Sequence, residues 1–66
     1  MNVIINGKNT KIEPKTSLSD ILLSMQLAKS GIVVELNKEA VFPRNYETTL
    51  LHKGDQIEIV AISAGG

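Results

Sequence analysis

The residues best placed to do chemistry stand at the C-terminal end, which reads Ala61-Ile62-Ser63-Ala64-Gly65-Gly66. At about 7% glycine, a final glycine pair arises by chance in roughly one chain in 200. Neither glycine carries a Cβ, so Gly65, with small Ala64 before it, suits a tail threaded through a narrow channel. What such a tail presents at its tip is the carboxylate of Gly66. A carboxylate is a poor acyl donor until it becomes a mixed anhydride, for which ATP is the usual reagent. Once adenylated, the Gly66 carbonyl is open to an external sulfur, and the product is a thiocarboxylate. The chain has no cysteine, so the sulfur would have to come from a partner. The bland alternative is a frayed end or a cloning remnant, because termini are commonly disordered.

Nothing else in the sequence gathers an acid, a base and a nucleophile. His52 is the single histidine, set between Leu51 and Lys53 before a Gly-Asp turn, and reads as a surface residue. The carboxylates, from Glu13 to Glu58, are scattered among lysines and arginines as on a solvated surface. Gly7 and Gly54 are isolated turn glycines and do not form a phosphate-binding loop. Without cysteine there is no disulfide scaffold, no thiolate zinc site and no thiol nucleophile. Seven basic and seven acidic residues cancel to a net charge of zero. That balance leaves no basic excess to neutralise the phosphates of a nucleic acid or an anionic membrane surface. The expectation is a chain that is not itself an enzyme and binds no cofactor or metal.

These residues need a scaffold, and 66 residues with 42% hydrophobic content suffice for one small domain. Val3 and Ile5 alternate with Asn2 and Ile4, and Asn6-Gly7 is the preferred pair for a two-residue hairpin turn with positive φ. The return strand, 8–13, is mostly polar, with Ile12 as its inward anchor. Pro14 stops it, and Thr16 or Ser17 offers a helix N-cap with Asp20 near the positive end of the helix dipole. Leu18, Ile21, Leu22 and Met25 fall on one helical stripe, widened by Leu23 and Leu27, and predict a long helix with Gly31 just past its end. Residues 32–37 alternate as a strand, with Ile32, Val34 and Leu36 on one face and Val33, Glu35 and Asn37 on the other. A turn at Asn37-Lys38-Glu39 leads to a short strand at 40–42, ended by Pro43. Tyr46 is expected to anchor the polar connection that follows. The last strand, 56–62, places Ile57, Ile59 and Ala61 on one face. The order is β-β-α-β-β-β: an α+β domain of five strands in a mixed sheet, first and last strands adjacent in the middle, with the helix across one face.

Taken in order, Val3-Ile4-Ile5-Asn6-Gly7, Val34-Glu35-Leu36-Asn37-Lys38-Glu39, Val41-Phe42-Pro43-Arg44 with Tyr46, and Gly54 to Val60 before Gly65-Gly66 form a specific set. Along essentially its whole length the chain resembles the ThiS family, the ubiquitin-like β-grasp sulfur carriers of thiamine biosynthesis. The resemblance implies a β-grasp domain over 1–66 with a flexible tail at 62–66. It further implies that Gly66 is adenylated by a ThiF-like adenylyltransferase using ATP and Mg²⁺, then converted to the thiocarboxylate by a sulfur-transfer enzyme. A ThiG-like thiazole synthase would take that sulfur for the thiazole ring. Phe42 between Val41 and Pro43, and Ser63-Ala64 before the glycines, depart from the commonest family pattern. Neither touches the chemistry, but both bear on partner contacts.

Strand alternation suggests where partners dock. If Ile57, Ile59 and Ala61 face the helix, Val60 and Ile62 face outward on the same side as Ile4. Three apolar side chains on adjacent strands would make an exposed patch of the kind found at protein interfaces. The plainer reading is that an open sheet always shows some isolated apolar residues. Two rival functions share the glycine tail: the small subunit of molybdopterin synthase, and a ubiquitin-like modifier joined to lysine amines. Residues 1–5 are too short an apolar run for a signal peptide, and no stretch approaches a membrane span, so a cytoplasmic protein is expected.

Overall fold

The computed structural model describes residues 1–27 and 31–62. Five strands, β1 (Asn2–Ile5), β2 (Lys8–Lys11), β3 (Ile32–Leu36), β4 (Glu39–Val41) and β5 (Gln56–Ala61), form one sheet in the order β2-β1-β5-β3-β4. The first and last strands lie side by side in parallel, Ile4 level with Gln56 and Ile5 with Ile57. β2 pairs antiparallel with β1, and β3 pairs antiparallel with both β4 and β5, which makes the sheet mixed. The expected topology is the one that forms.

The first hairpin turns where the sequence places it, with φ +50° at Asn6 and +79° at Gly7. The second turn also uses positive φ at both central residues, Asn37 (+51°) and Lys38 (+71°). It therefore starts β4 at Glu39, one residue earlier than expected, and Phe42 falls outside the strand. Asn37 adds a side-chain clasp to this turn. Its Oδ1 accepts from the Gln56 amide at 3.0 Å and its Nδ2 donates to Asp55 Oδ1 at 3.1 Å.

The helix α1 (Leu18–Ser24) begins with a reciprocal cap. The Asp20 amide donates to the Ser17 hydroxyl and the Ser17 amide donates to the Asp20 carboxylate, both at 3.0 Å. At seven residues it is shorter than the apolar stripe suggests. Gln26 takes a left-handed φ of +59°. Its amide donates to Leu23 O (3.0 Å), and the Leu27 amide donates to Leu22 O (2.9 Å). That double closure is a Schellman ending with glutamine in the position glycine usually fills. Met25, at the helix ending, is exposed, and Leu23, within α1 but off its buried face, is 71% exposed, so neither extends the stripe.

The core sits between sheet and helix. Val3, Ile5, Val34 and Ile57 supply the sheet side, and Leu18, Ile21 and Leu22 the helix side. Leu51 and the ring of Tyr46 fill the flank, because the segment before β5 is pinned to the helix start. Leu18 N–H donates to Thr49 O (3.0 Å), Ser19 N–H to Tyr46 O (3.1 Å), and Leu51 N–H to Thr16 O (2.9 Å). Tyr46 is thus the anchor its position implied, 1% exposed, and burial pushes its phenol above the ordinary value of 10.

Candidate functional site at the end of the central strand

β5 is the strand that delivers the C-terminal tail, and it runs through the middle of the sheet, flanked by β1 and β3. The first half of β5 is held on both sides, which an edge strand cannot offer, and its last residues, Val60 to Ile62, are held by the β3 side. The last described residue, Ile62, is still bonded: its amide donates to Gly31 O at 2.7 Å, one step beyond the ladder rung that pairs Ile32 with Ala61. Ala64, Gly65 and Gly66, the expected threading and acyl residues, lie outside the described residues.

On the face of β5 turned away from the helix, Val60 and Ile62 are 58% and 53% exposed. Ile57 on the opposite face is fully buried and Ile59 is half-buried against the core, so the alternation holds from Gln56 to Val60. Ala61, expected on the inner face with them, is exposed because the strand has by then run past the core. Ile4 is on the outward face as expected, but it is half-buried and level with Gln56. From Gln56 to Val60 is four residues, about 13 Å at a strand's rise. Ile4 therefore does not adjoin Val60.

The register brings other residues there instead. Val33 lies directly opposite Val60. Phe42 continues the extended backbone of β4 one step past the Val34–Val41 pair, beside Val33, and is 60% exposed. The Arg44 guanidinium stacks over the Phe42 ring at 4.9 Å from its centroid. Phe42, Val33, Val60 and Ile62 thus form an apolar band at the end of the sheet from which the tail departs. Below it, Glu35 and Glu58 face each other across β3 and β5. The outward position of Val33 was readable from alternation; its partnership with Val60 and Phe42 needed the register.

The remaining candidates stay apart. His52 is a surface residue, its side chain 82% exposed, with Nδ1 3.9 Å from Asp55 Oδ2 across the turn into β5. A groove of about 840 Å³ runs between β2 and α1, floored by Ile5, Ile12 and Ile21 and edged by Lys8, Lys11 and Asp20. Among the described residues no cluster of histidine and carboxylate side chains is arranged to hold a metal ion. Nor is any helix there long and apolar enough to cross a membrane.

A mixed sheet ordered β2-β1-β5-β3-β4, with one helix across it and the tail issuing from the central strand, defines a ubiquitin-like β-grasp protein. The match to the ThiS family model spans residues 3–66, and the chain belongs to that family. It is 36% identical over 64 residues to the sulfur carrier protein ThiS of Thermus thermophilus, covering 97% of this chain and 98% of the relative. Its fold superposes on the crystal structure of the thiamine biosynthesis protein ThiS from Geobacter metallireducens with a TM-score of 0.84 at 26% identity, both chains covered in full. The solution NMR structure of a thiamine biosynthesis protein from the same organism gives 0.79 at 26% identity, covering all of this chain and 88% of the other.

Proposed function

We propose that this chain carries sulfur in thiamine biosynthesis, as a thiocarboxylate on the carboxyl carbon of Gly66. The observation that carries the proposal is a family match running through residue 66, so that it includes the terminal glycines. The near-full-length relative named as a sulfur carrier adds to it.

The chemistry requires two displacements. The Gly66 carboxylate attacks the α-phosphorus of ATP in the site of a ThiF-like adenylyltransferase, where Mg²⁺ offsets phosphate charge, and pyrophosphate leaves. Sulfur at the sulfide level (hydrosulfide), supplied by a sulfur-transfer enzyme, then attacks the acyl carbon; the C–S bond forms, the C–O bond breaks, and AMP leaves with that oxygen. The resulting thiocarboxylate surrenders its sulfur to a ThiG-like thiazole synthase. In this scheme the chain is a co-substrate of its partners. Gly65 and Ala64 give the acyl group a slim approach, and the folded domain is the handle by which partners hold it.

Val60 and Ile62 form the docking face, extended by Val33 and Phe42, since the band adjoins the root of the tail. An enzyme that grips it holds the tail at fixed distance from its own active site. Charging the chain and offering it in turn to thiazole synthase and to the large subunit of molybdopterin synthase tests the assignment. Sulfur consumed by the first alone is the expected result. Consumption by the second alone would move the chain to the molybdopterin branch, and Gly66-dependent conjugates on lysines would make it a modifier.

A further inference from the structure

β1 and β5 pair in parallel, and the rungs of that ladder can be followed one at a time. Ile4 N–H donates to Asp55 O and Asn6 N–H donates to Ile57 O, both at 2.8 Å. In a regular parallel ladder the next bond would run from Ile59 N–H to the main-chain oxygen of Asn6. Asn6, however, has already entered the hairpin turn at φ +50°. The Ile59 amide donates to the side-chain oxygen of Asn6, Oδ1, at 2.7 Å. The side-chain amide thereby stands in for a ladder carbonyl and extends the pairing by one rung after β1 has ended.

This task is separate from the turn. Asparagine suits the left-handed conformation, but glycine would suit it as well; only the Oδ1 acceptor serves β5. The bond is also the last described on the β1 flank of the strand. Past it, the described anchor is the Ile62–Gly31 bond on the β3 flank. Ile59 lies three residues before Ile62, the last described residue ahead of the tail. The bond therefore helps to fix the stretch of β5 from which the tail leaves.

We infer that Asn6 is a positioning residue for the sulfur-bearing tail: its side-chain oxygen holds the β1 flank of β5 and so directs the tail from its root. The inference rests on the carrier function proposed above. The test compares wild type, Asn6→Gly and Asn6→Asp in two readouts, amide hydrogen exchange at Ile59 and the kinetics of adenylation by the partner enzyme. Asn6→Gly keeps the positive φ and removes the acceptor. Its Ile59 amide should exchange about three- to tenfold faster, the value of one net hydrogen bond. Its kcat for adenylation should fall about threefold or more while KM stays within about twofold, because orientation is lost and docking is not. Asn6→Asp keeps an oxygen at the same reach and should restore both readouts. Unchanged exchange at Ile59, or faster exchange with unaltered kcat, would overturn the positioning role, as would an Asn6→Asp variant no better than Asn6→Gly. A wild-type chain that an active adenylyltransferase fails to adenylate would contradict the carrier function instead, so the two failures are distinguishable.

Discussion

Val60 and Ile57 sit three residues apart on β5 and face opposite ways, one 58% exposed and the other fully buried. Val60→Asp should therefore damage docking and spare the fold, and Ile57→Ala should do the reverse. For the fold, the sum is small at Val60. Strand propensities span about 1 kcal/mol, and the cross-strand contact with Val33 adds about 0.2–1 kcal/mol. The new carboxylate also joins Glu58 and Glu35 on the same face, a modest repulsion at an exposed site. A 66-residue domain has about 3–10 kcal/mol of stability at the usual value per residue, so this variant stays folded. Ile57→Ala removes a fully buried side chain from the sheet centre and costs about 2–5 kcal/mol, a large share of that total. For docking, a valine covered by a partner contributes about 1.5 kcal/mol. A carboxylate desolvated in its place adds at least as much again in penalty. Together these make a loss of about 3 kcal/mol or more, which corresponds to a rise in KM of at least about 150-fold. The assay is initial-rate pyrophosphate release against carrier concentration, with urea unfolding of each variant alongside. An unchanged KM for a folded Val60→Asp chain would refute the docking face. Unfolding of that variant as severe as that of Ile57→Ala would refute the assignment of faces itself.

Gln26→Gly should raise the unfolding free energy by up to about 1 kcal/mol, since glycine relieves the left-handed strain at the helix ending while keeping its two closing bonds; a destabilised variant would contradict the Schellman reading. Tyr46→Phe should flatten the alkaline limb of the stability profile. Because the folded chain holds the phenolic proton above pH 10, Tyr46 contributes stability that is whole below pH 10 and lost as pH rises through its higher folded value. Urea midpoints near neutrality and above pH 10 measure this, and identical alkaline slopes in both chains would count against a buried phenol.

Most of the architecture was legible because the strands alternate and the turns carry their own signatures. Asn6-Gly7 marked the first hairpin, Ser17 and Asp20 the helix start, and Pro43 the end of the fourth strand. The helix ending was not legible. Glycine at 31 is the ordinary stop signal, but the chain closes at Gln26, where a polar residue accepts strain because Leu27 returns to the core. The docking face was half legible for a related reason. Alternation says which side of the sheet a residue faces, but not which residue on the next strand stands beside it. Val33 and Phe42 join Val60, and Ile4 falls about 13 Å short, through the β1–β5, β3–β4 and β3–β5 registers. Those registers follow from packing across residues far apart in the chain, which no local pattern encodes. The second task of Asn6 was hidden by its first, since the turn accounts for asparagine at that position with no need of Ile59.

The most direct test of the carrier function is the intact mass of the chain after incubation with its adenylyltransferase, ATP and Mg²⁺, with and without a sulfur donor. A mass increase equal to an adenylyl group, replaced on adding sulfur by the exchange of one oxygen for sulfur at Gly66, is the predicted result. An unmodified chain beside an adenylyltransferase that activates another carrier in the same reaction would contradict it.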